Sequence, residues 1–214
     1  MQARRILIFT GGRLGEWALP LIQEDDYVIG ADRGAYYLVS HQIRPNLAIG
    51  DFDSVTQAEM EFLRQECEHV EACDPIDKDF TDTELAFRYA MAQHPREIIL
   101  IGALGTRFDH SLANIHLLKT AVDHNVPVSI VDEHNRVRVI TDRLLLQKAD
   151  EYAHVSLLPL TTEVTGIDLE GFRYPLQDAT LKIGQSLGIS NVIEAKEGSI
   201  RIRSGLLLVI ESKD

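Results

Sequence analysis

The sequence is poor in cysteine, with two in 214 residues, and poor in cations, with 21 Lys and Arg against 33 Asp and Glu for a net charge of −12. Cys67 and Cys73 lack C-x-x-C spacing and have no cysteine neighbours to complete a zinc site. They read as thiols of a reduced, cytoplasmic protein. The shortage of cations excludes a broad basic stripe for nucleic acid. It leaves room for a nucleotide, which needs only a few local cations and a metal. No apolar run approaches the roughly 20 residues of a membrane span. The apolar part of the N-terminus, Ile6-Leu7-Ile8-Phe9, is too short for a signal peptide. Neither G-K-[ST] nor G-x-G-x-x-G follows the first apolar run, which excludes a P-loop and a dinucleotide fingerprint. G-x-S-x-G is missing, neither cysteine sits in an activating setting, and no serine or cysteine nucleophile is evident. What is present, 45% hydrophobic and 25% charged residues, describes a soluble globular chain of one large or two small domains.

Apolar runs alternate with helix signals to about residue 130. Strands are expected at 5–9, 27–29, 47–49, 69–72, 98–101 and 126–131. Helices are expected at 15–23, where Pro20 would kink or end the element, at 35–41, after Ser54, after Thr81 and at 111–124. Two capping boxes compete before the third helix, Ser54 with Gln57 and Thr56 with Glu59; Thr81 with Glu84 forms another. This alternation implies a mostly parallel sheet with helices on both faces. Beyond about residue 134 the pattern becomes short strand-like runs, at 136–140, 154–158, 200–202 and 206–210. Turn residues such as Thr165-Gly166, Glu170-Gly171 and Glu197-Gly198 separate them. The expected fold class is α/β: an N-terminal mostly parallel-sheet domain over 1–133, then a small all-β domain of sandwich or jelly-roll type over 134–214. Trp17 and the other aromatics read as core.

Nearly every strand of the first half ends in glycine, an acid or both. In an open α/β sheet the carboxyl ends of the strands share one edge, where ligands bind, so clusters scattered in sequence are expected to meet. In Gly50-Asp51-Phe52-Asp53-Ser54, two acids follow a glycine. Asp51 and Asp53 there suit a divalent metal that keeps open positions for phosphate oxygens, although acids before a helix also serve as caps. In Asp77-Lys78-Asp79 with Thr81 and Asp82, the acids Asp79 and Asp82 could join the first pair around two Mg²⁺ ions, with Lys78 neutralising phosphate; each could equally cap the next helix. Gly105-Thr106-Arg107-Phe108-Asp109-His110, with Asn114 one turn beyond, offers close backbone approach and an arginine for bidentate phosphate contact. Asp32-Arg33-Gly34 and Thr10-Gly11-Gly12-Arg13 complete the set.

Taken in order, these motifs resemble those of the thiamine pyrophosphokinase (thiamine diphosphokinase) family over nearly the whole length. In the β half the resemblance extends to Ser156-Leu157-Leu158-Pro159-Leu160, Val164-Thr165-Gly166 and Ser190-Asn191. It implies a Mg²⁺-dependent diphosphotransferase that moves the diphosphoryl group of ATP to the hydroxyl of thiamine, giving thiamine diphosphate and AMP. It also implies a cytoplasmic homodimer acting without nucleic acid or membrane. ATP would lie on 1–133 and thiamine at the subunit boundary, with 134–214 supplying thiamine contacts and dimerisation. Carried over, Asp51, Asp53, Asp79 and Asp82 become the catalytic and metal residues. Asp32, Arg33, Lys78, Arg107, Asp109, His110 and Asn114 become nucleotide and phosphate residues, and Ser190 and Asn191 thiamine residues. Some relatives carry an aromatic residue shortly after the Ser-Asn pair, where this chain has Val192-Ile193.

The chemistry expected is in-line attack of the thiamine hydroxyl on the β-phosphorus, with Asp79 or Asp82 accepting the proton and the protein supplying position and charge neutralisation. Two other readings compete. Asp51-Phe52-Asp53-Ser54-Val55 fits the D-x-D-x-[TV] motif of a haloacid-dehalogenase-type phosphatase with Asp51 as nucleophile, although that motif normally follows the first strand. A non-catalytic nucleotide sensor could use the same sheet edge.

Overall fold

The structure, a computed structural model, describes residues 4–72, 79–149 and 151–214. The chain divides into two compact units, Met1–Glu133 and His134–Asp214. Among the described residues no helix is long and apolar enough to cross a membrane.

Among its described residues the first unit is built on six parallel strands: β1 (Arg5–Phe9), β2 (Tyr27–Ala31), β3 (Leu47–Gly50), β4 (Val70–Ala72), β5 (Glu97–Ile101) and β6 (Val128–Val131). Ile-, Val- and Leu-rich runs such as Ile6-Leu7-Ile8-Phe9 and Ile98-Ile99-Leu100-Ile101 are buried along their length, as expected for parallel strands covered on both faces. Only the edge strand β4 is largely exposed. The order across the sheet is β4-β3-β2-β1-β5-β6. The chain therefore winds one way from β1 through β4 and the other way through β5 and β6. The reversal falls between β1 and β5, where an open α/β sheet leaves a crevice at its carboxyl edge.

Among the described residues four helices cover the sheet: α1 (Arg33–Ser40), α2 (Gln57–Glu66), α3 (Asp82–Ala92) and α4 (Phe108–Asp123). Helix α1 packs on β2 and α2 packs on α1, while α3 crosses β1–β3 and touches α4. On α4 the buried residues Ser111, Asn114, Leu118 and Ala121 follow helical spacing. The expected helix at 15–23 is a 3-10 helix, Glu16–Leu21, containing Pro20; proline removes the donor a longer α-helix would require there. Trp17 packs against the core formed by Leu7, Phe9, Val28 and Ile101. The rival caps of α2 are resolved in favour of Thr56, which forms a full capping box with Glu59, leaving the Ser54 hydroxyl for another partner.

The second unit holds β7 (Asn135–Ile140), β8 (Arg143–Gln147), β9 (His154–Pro159), β10 (Glu163–Glu170), β11 (Leu176–Lys182), β12 (Glu197–Arg201) and β13 (Leu207–Ser212). Antiparallel pairs build one sheet ordered β7-β13-β9 and another ordered β11-β10-β12-β8. Val155, Leu157, Leu207 and Val209 of the first share a core with Val164, Ile167, Leu181 and Ile200 of the second. That is a small β-sandwich. Strands β8, β10 and β11 are absent from the sequence reading. Helices and a mostly parallel sheet in the first half, with an antiparallel sandwich in the second, make up the expected α/β fold class.

Candidate active site

Strand register decides which loops meet. Phe9 pairs with Gly30 and with Ile101, and Ala31 pairs with Ile49. The segments beginning at Thr10, Asp32, Asp51 and Gly102 therefore leave the sheet at one level. A cleft of about 250 Å³ opens there, lined by Thr10, Gly11, Gly12, Ala31, Asp32, Thr81, Asp82, Thr83, Gly102, Ala103, Gly105, Thr106, Arg107, His110 and Asn114. It sits at the reversal of strand order.

The loops after β1 and β5 form one side. A Cβ at Gly12 would lie 1.9 Å from the Gly102 carbonyl oxygen, so the two backbones touch in a way that only glycine permits. Side chains brace this contact. The buried Thr10 hydroxyl donates to Gly102 O at 2.6 Å, and Asn114 Nδ2 donates to Ala103 O at 2.7 Å. Ser111 Oγ accepts from Gly105 N at 3.0 Å and donates to Arg107 O at 3.2 Å. Asn114, expected to contact ligand, thus holds the loop that faces it. Thr10, part of a cluster read in the sequence, and Ser111 do similar work, and nothing in the sequence separates Ser111 from an ordinary polar residue. Arg107 reaches into the cleft region while paired with Asp109 at 2.7 Å. The pair is exposed and holds the Asp109 carboxyl below its usual range through the arginine's hydrogen bond. An exposed pair of this kind is weak, so a phosphate can compete for the guanidinium.

The loops after β2 and β3 form the acidic side. Asp32, Asp51 and Asp53 each offer a carboxylate oxygen within 4.8 Å of the others. Asp53 N donates to Asp51 Oδ1 at 2.9 Å, and Asp51 N donates to Asp82 Oδ1 at 3.2 Å. Gly50 has φ +148, and a Cβ there would sit 3.2 Å from the Asp82 carboxylate. Two non-glycine residues adopt positive φ in these loops, Asp32 at 48° and Phe52 at 55°. Such backbone costs roughly 1–3 kcal/mol and persists only where its surroundings impose it. Asp32 Oδ2 accepts from Ser54 Oγ at 2.7 Å, while Asp32 Oδ1 is buried without a hydrogen-bond partner among the described residues.

A buried carboxylate oxygen without a donor, beside two further carboxylates, fits a hard divalent cation that prefers oxygen ligands. The grouping differs from the set read in the sequence. Asp32, read in the sequence with the nucleotide residues, lines the cleft with Arg107, His110 and Asn114 and also lies beside Asp51 and Asp53. Asp82 stands beside this group through Asp51 N, and exposed Asp79 lies outside it. Arg33 donates to Ser54 O at 3.2 Å, which ties the two acidic loops together. Lys78 lies outside the described residues.

Ser190 and Asn191 belong to the second unit. Asn191 is 5% exposed. Its Oδ1 accepts from Tyr174 N at 3.1 Å and Val192 N at 2.9 Å, and its Nδ2 donates to Tyr174 O at 2.8 Å. All of its amide groups brace the turn. Ser190 is exposed with φ 56°, and its N–H donates to Ser156 Oγ at 3.0 Å.

The family described as "Thiamin pyrophosphokinase, catalytic domain" matches residues 18–130, and "Thiamin pyrophosphokinase, vitamin B1 binding domain" matches 141–207. Thiamine pyrophosphokinase of Bacillus subtilis is 31% identical over 187 residues, covering 87% of this chain and 87% of the relative. The crystal structure of the thiamine pyrophosphokinase from Bacillus subtilis superposes with a TM-score of 0.92 at 30% identity, over 99% of this chain and 100% of that one. The thiamin pyrophosphokinase of Geobacillus thermodenitrificans superposes with a TM-score of 0.89 at 33% identity, over 98% of each chain. Neither the phosphatase nor the sensor reading finds support in these matches.

Proposed function

This chain belongs to the thiamine pyrophosphokinase family, and from that premise we propose that its switch-point cleft takes ATP with Mg²⁺ for diphosphoryl transfer to thiamine, leaving AMP. The observation that carries the metal assignment is the Asp32–Asp51–Asp53 group with its buried, unpartnered Asp32 Oδ1. These three residues would hold Mg²⁺, which when bound neutralises charge on diphosphoryl oxygens. The amide-bearing loops after β1 and β5 bind the phosphate chain, and Arg107 exchanges Asp109 for phosphate. Asp109 then acts as the arginine's resting partner, and His110 lines the nucleotide side of the cleft. Of the two acids offered as proton acceptor, Asp82 lines the cleft and Asp79 does not; Asp82 is the acceptor in this reading. Arg33 holds the acidic loops together.

The match of residues 141–207 to a vitamin B1 binding domain supports placing thiamine contacts on the second unit. Ser190 is the contacting residue and Asn191 the brace behind it. A homodimer with thiamine at the subunit boundary suits the exposed apolar side chains of that unit, Tyr174, Ile183, Leu187 and Ile189. The enzyme works in the cytoplasm on small-molecule substrates.

The test is to incubate protein, ATP, Mg²⁺ and thiamine and to identify products. AMP with thiamine diphosphate is expected, and chelation of Mg²⁺ by EDTA stops the reaction. ADP with thiamine monophosphate contradicts diphosphoryl transfer, and full turnover in EDTA contradicts the metal.

A further inference from the structure

Ser54 follows the acidic pair in sequence and makes no cap. Its hydroxyl donates to Asp32 Oδ2 at 2.7 Å, across 22 positions of chain. Its own carbonyl accepts from Arg33 at 3.2 Å. The loop after β2 and the loop after β3 therefore exchange two hydrogen bonds in opposite directions. These are the two loops that carry all three clustered carboxylates. Asp32 also bonds through its backbone, with its N–H donating to Ile49 O at 3.0 Å and its carbonyl accepting from Ala35 N at 3.0 Å. The backbone bonds set where Asp32 sits. They do not set how its carboxylate is turned.

Among the described residues only the Ser54 hydroxyl bonds to that carboxylate, and it takes one oxygen. The other oxygen, Oδ1, is buried with no hydrogen-bond partner among the described residues. Three carboxylates this close repel one another, and an unrestrained one turns toward water. We propose that Ser54 is a positioning residue that fixes Asp32 Oδ2 so that Oδ1 faces the cation shared with Asp51 and Asp53. The inference rests on the metal reading above. Residues that orient metal ligands by hydrogen bonding are worth about 10–100-fold in metal affinity.

The experiment measures Mn²⁺ binding directly, by electron paramagnetic resonance, to wild-type protein, Ser54→Ala and Ser54→Thr in the presence of α,β-methylene-ATP. Ser54→Ala is expected to weaken Mn²⁺ binding about 10–100-fold, and Ser54→Thr, which keeps the hydroxyl, to restore it to near the wild-type value. The Mg²⁺ concentration giving half-maximal turnover should move with the Mn²⁺ affinity, while the KM for thiamine stays in place. Equal Mn²⁺ affinity in wild type and Ser54→Ala overturns the role of Ser54 and leaves the metal site standing. Failure of the wild-type protein to bind Mn²⁺ overturns both. A rise in the KM for thiamine matching the metal effect, without rescue by threonine, shows a general structural defect and also overturns the proposal.

Discussion

Replacing Asp51 by Asn separates a metal site from a set of caps, because the two predict different effects on stability. The three carboxylates lie within 4.8 Å of one another. At that separation two unit charges repel by about 0.9 kcal/mol even in a water-like medium. Asp51 faces two such neighbours, so neutralising it relieves about 2 kcal/mol. Asparagine keeps an oxygen to accept from Asp53 N. That relief offsets what loss of the charge costs the other interactions of Asp51, so without metal Asp51→Asn should be about as stable as wild type. With Mg²⁺ at about 100 times its dissociation constant, ligand linkage stabilises the wild type by about 2.7 kcal/mol. For a chain of 214 residues, that raises the thermal midpoint by about 5–11 °C. If loss of one ligand weakens binding about 100-fold, the same Mg²⁺ gives the variant about 0.4 kcal/mol, or about 1–2 °C. Differential scanning fluorimetry with and without Mg²⁺ and α,β-methylene-ATP reads both quantities, and turnover should fall by about 100-fold or more. An unchanged metal-induced rise, or near-normal turnover at saturating Mg²⁺, refutes the assignment. A metal-free variant several degrees less stable than wild type refutes the repulsion argument and restores the caps.

Gly12→Ala places a Cβ 1.9 Å from the Gly102 carbonyl oxygen, and the resulting backbone shift should cost about 1–3 kcal/mol in urea unfolding and abolish nucleotide binding by calorimetry. Asp26→Asn breaks a paired, nearly buried ion pair with Arg5, whose side chains are 2% and 12% exposed; because it strands the arginine, thermal unfolding should report a loss of about 3–5 kcal/mol. Hydrogen bonds from Thr56, first its N–H and then its hydroxyl, hold the Glu59 carboxyl below 4.5. A lowered native value means that the unfolded chain binds the proton more readily, so this contribution is present above about pH 4.5 and is lost as pH falls through the native value. Glu59→Ala should therefore be less stable than wild type at pH 7, with the gap narrowing as pH falls below about 4.5 in urea titrations; a gap that stays constant across that range contradicts the capping box.

What could be read in the sequence was whatever periodicity and strand ends encode. The parallel sheet was legible because Ile6-Leu7-Ile8-Phe9 and Ile98-Ile99-Leu100-Ile101 are apolar on both faces, as only doubly covered strands need be. The convergence of glycine and acid at strand ends followed from topology alone. Strands β10 and β11 were missed because their pairing is interrupted by register shifts between Val164, Ile167 and Leu169, and β11 buries only Leu181 fully. Such strands show little alternation. Partner choice was the second limit. Asp32 is 19 positions from Asp51 in the chain, and only the β2–β3 register brings their carboxylates together. Asn114 and Asn191 have the residue type of ligand-binding groups; Asn114 lines the cleft while its Nδ2 donates to Ala103 O, and the Asn191 Nδ2 donates to Tyr174 O. Whether an asparagine faces a ligand or braces the loop behind it depends on contacts that no spacing rule encodes.

Asp32 shows the same limit in its backbone and offers the sharpest remaining test. With φ 48° and ψ −120°, it adopts a conformation suited to glycine, yet glycine has no carboxylate. If the carboxylate is retained for a cation, the strain at this position, roughly 1–3 kcal/mol, is the cost of having it there. Asp32→Gly and Asp32→Ala both lose the hydrogen bond from Ser54. Only glycine also relieves the backbone. At an ordinary position glycine is less stable than alanine by about 0.4–1 kcal/mol, because its unfolded chain is more flexible. Here the order should invert, with Asp32→Gly more stable than Asp32→Ala by about 1–2 kcal/mol in urea unfolding, while neither binds Mn²⁺. An alanine variant as stable as the glycine variant means that Asp32 carries no strain, and the carboxylate then sits where the fold would have placed any side chain.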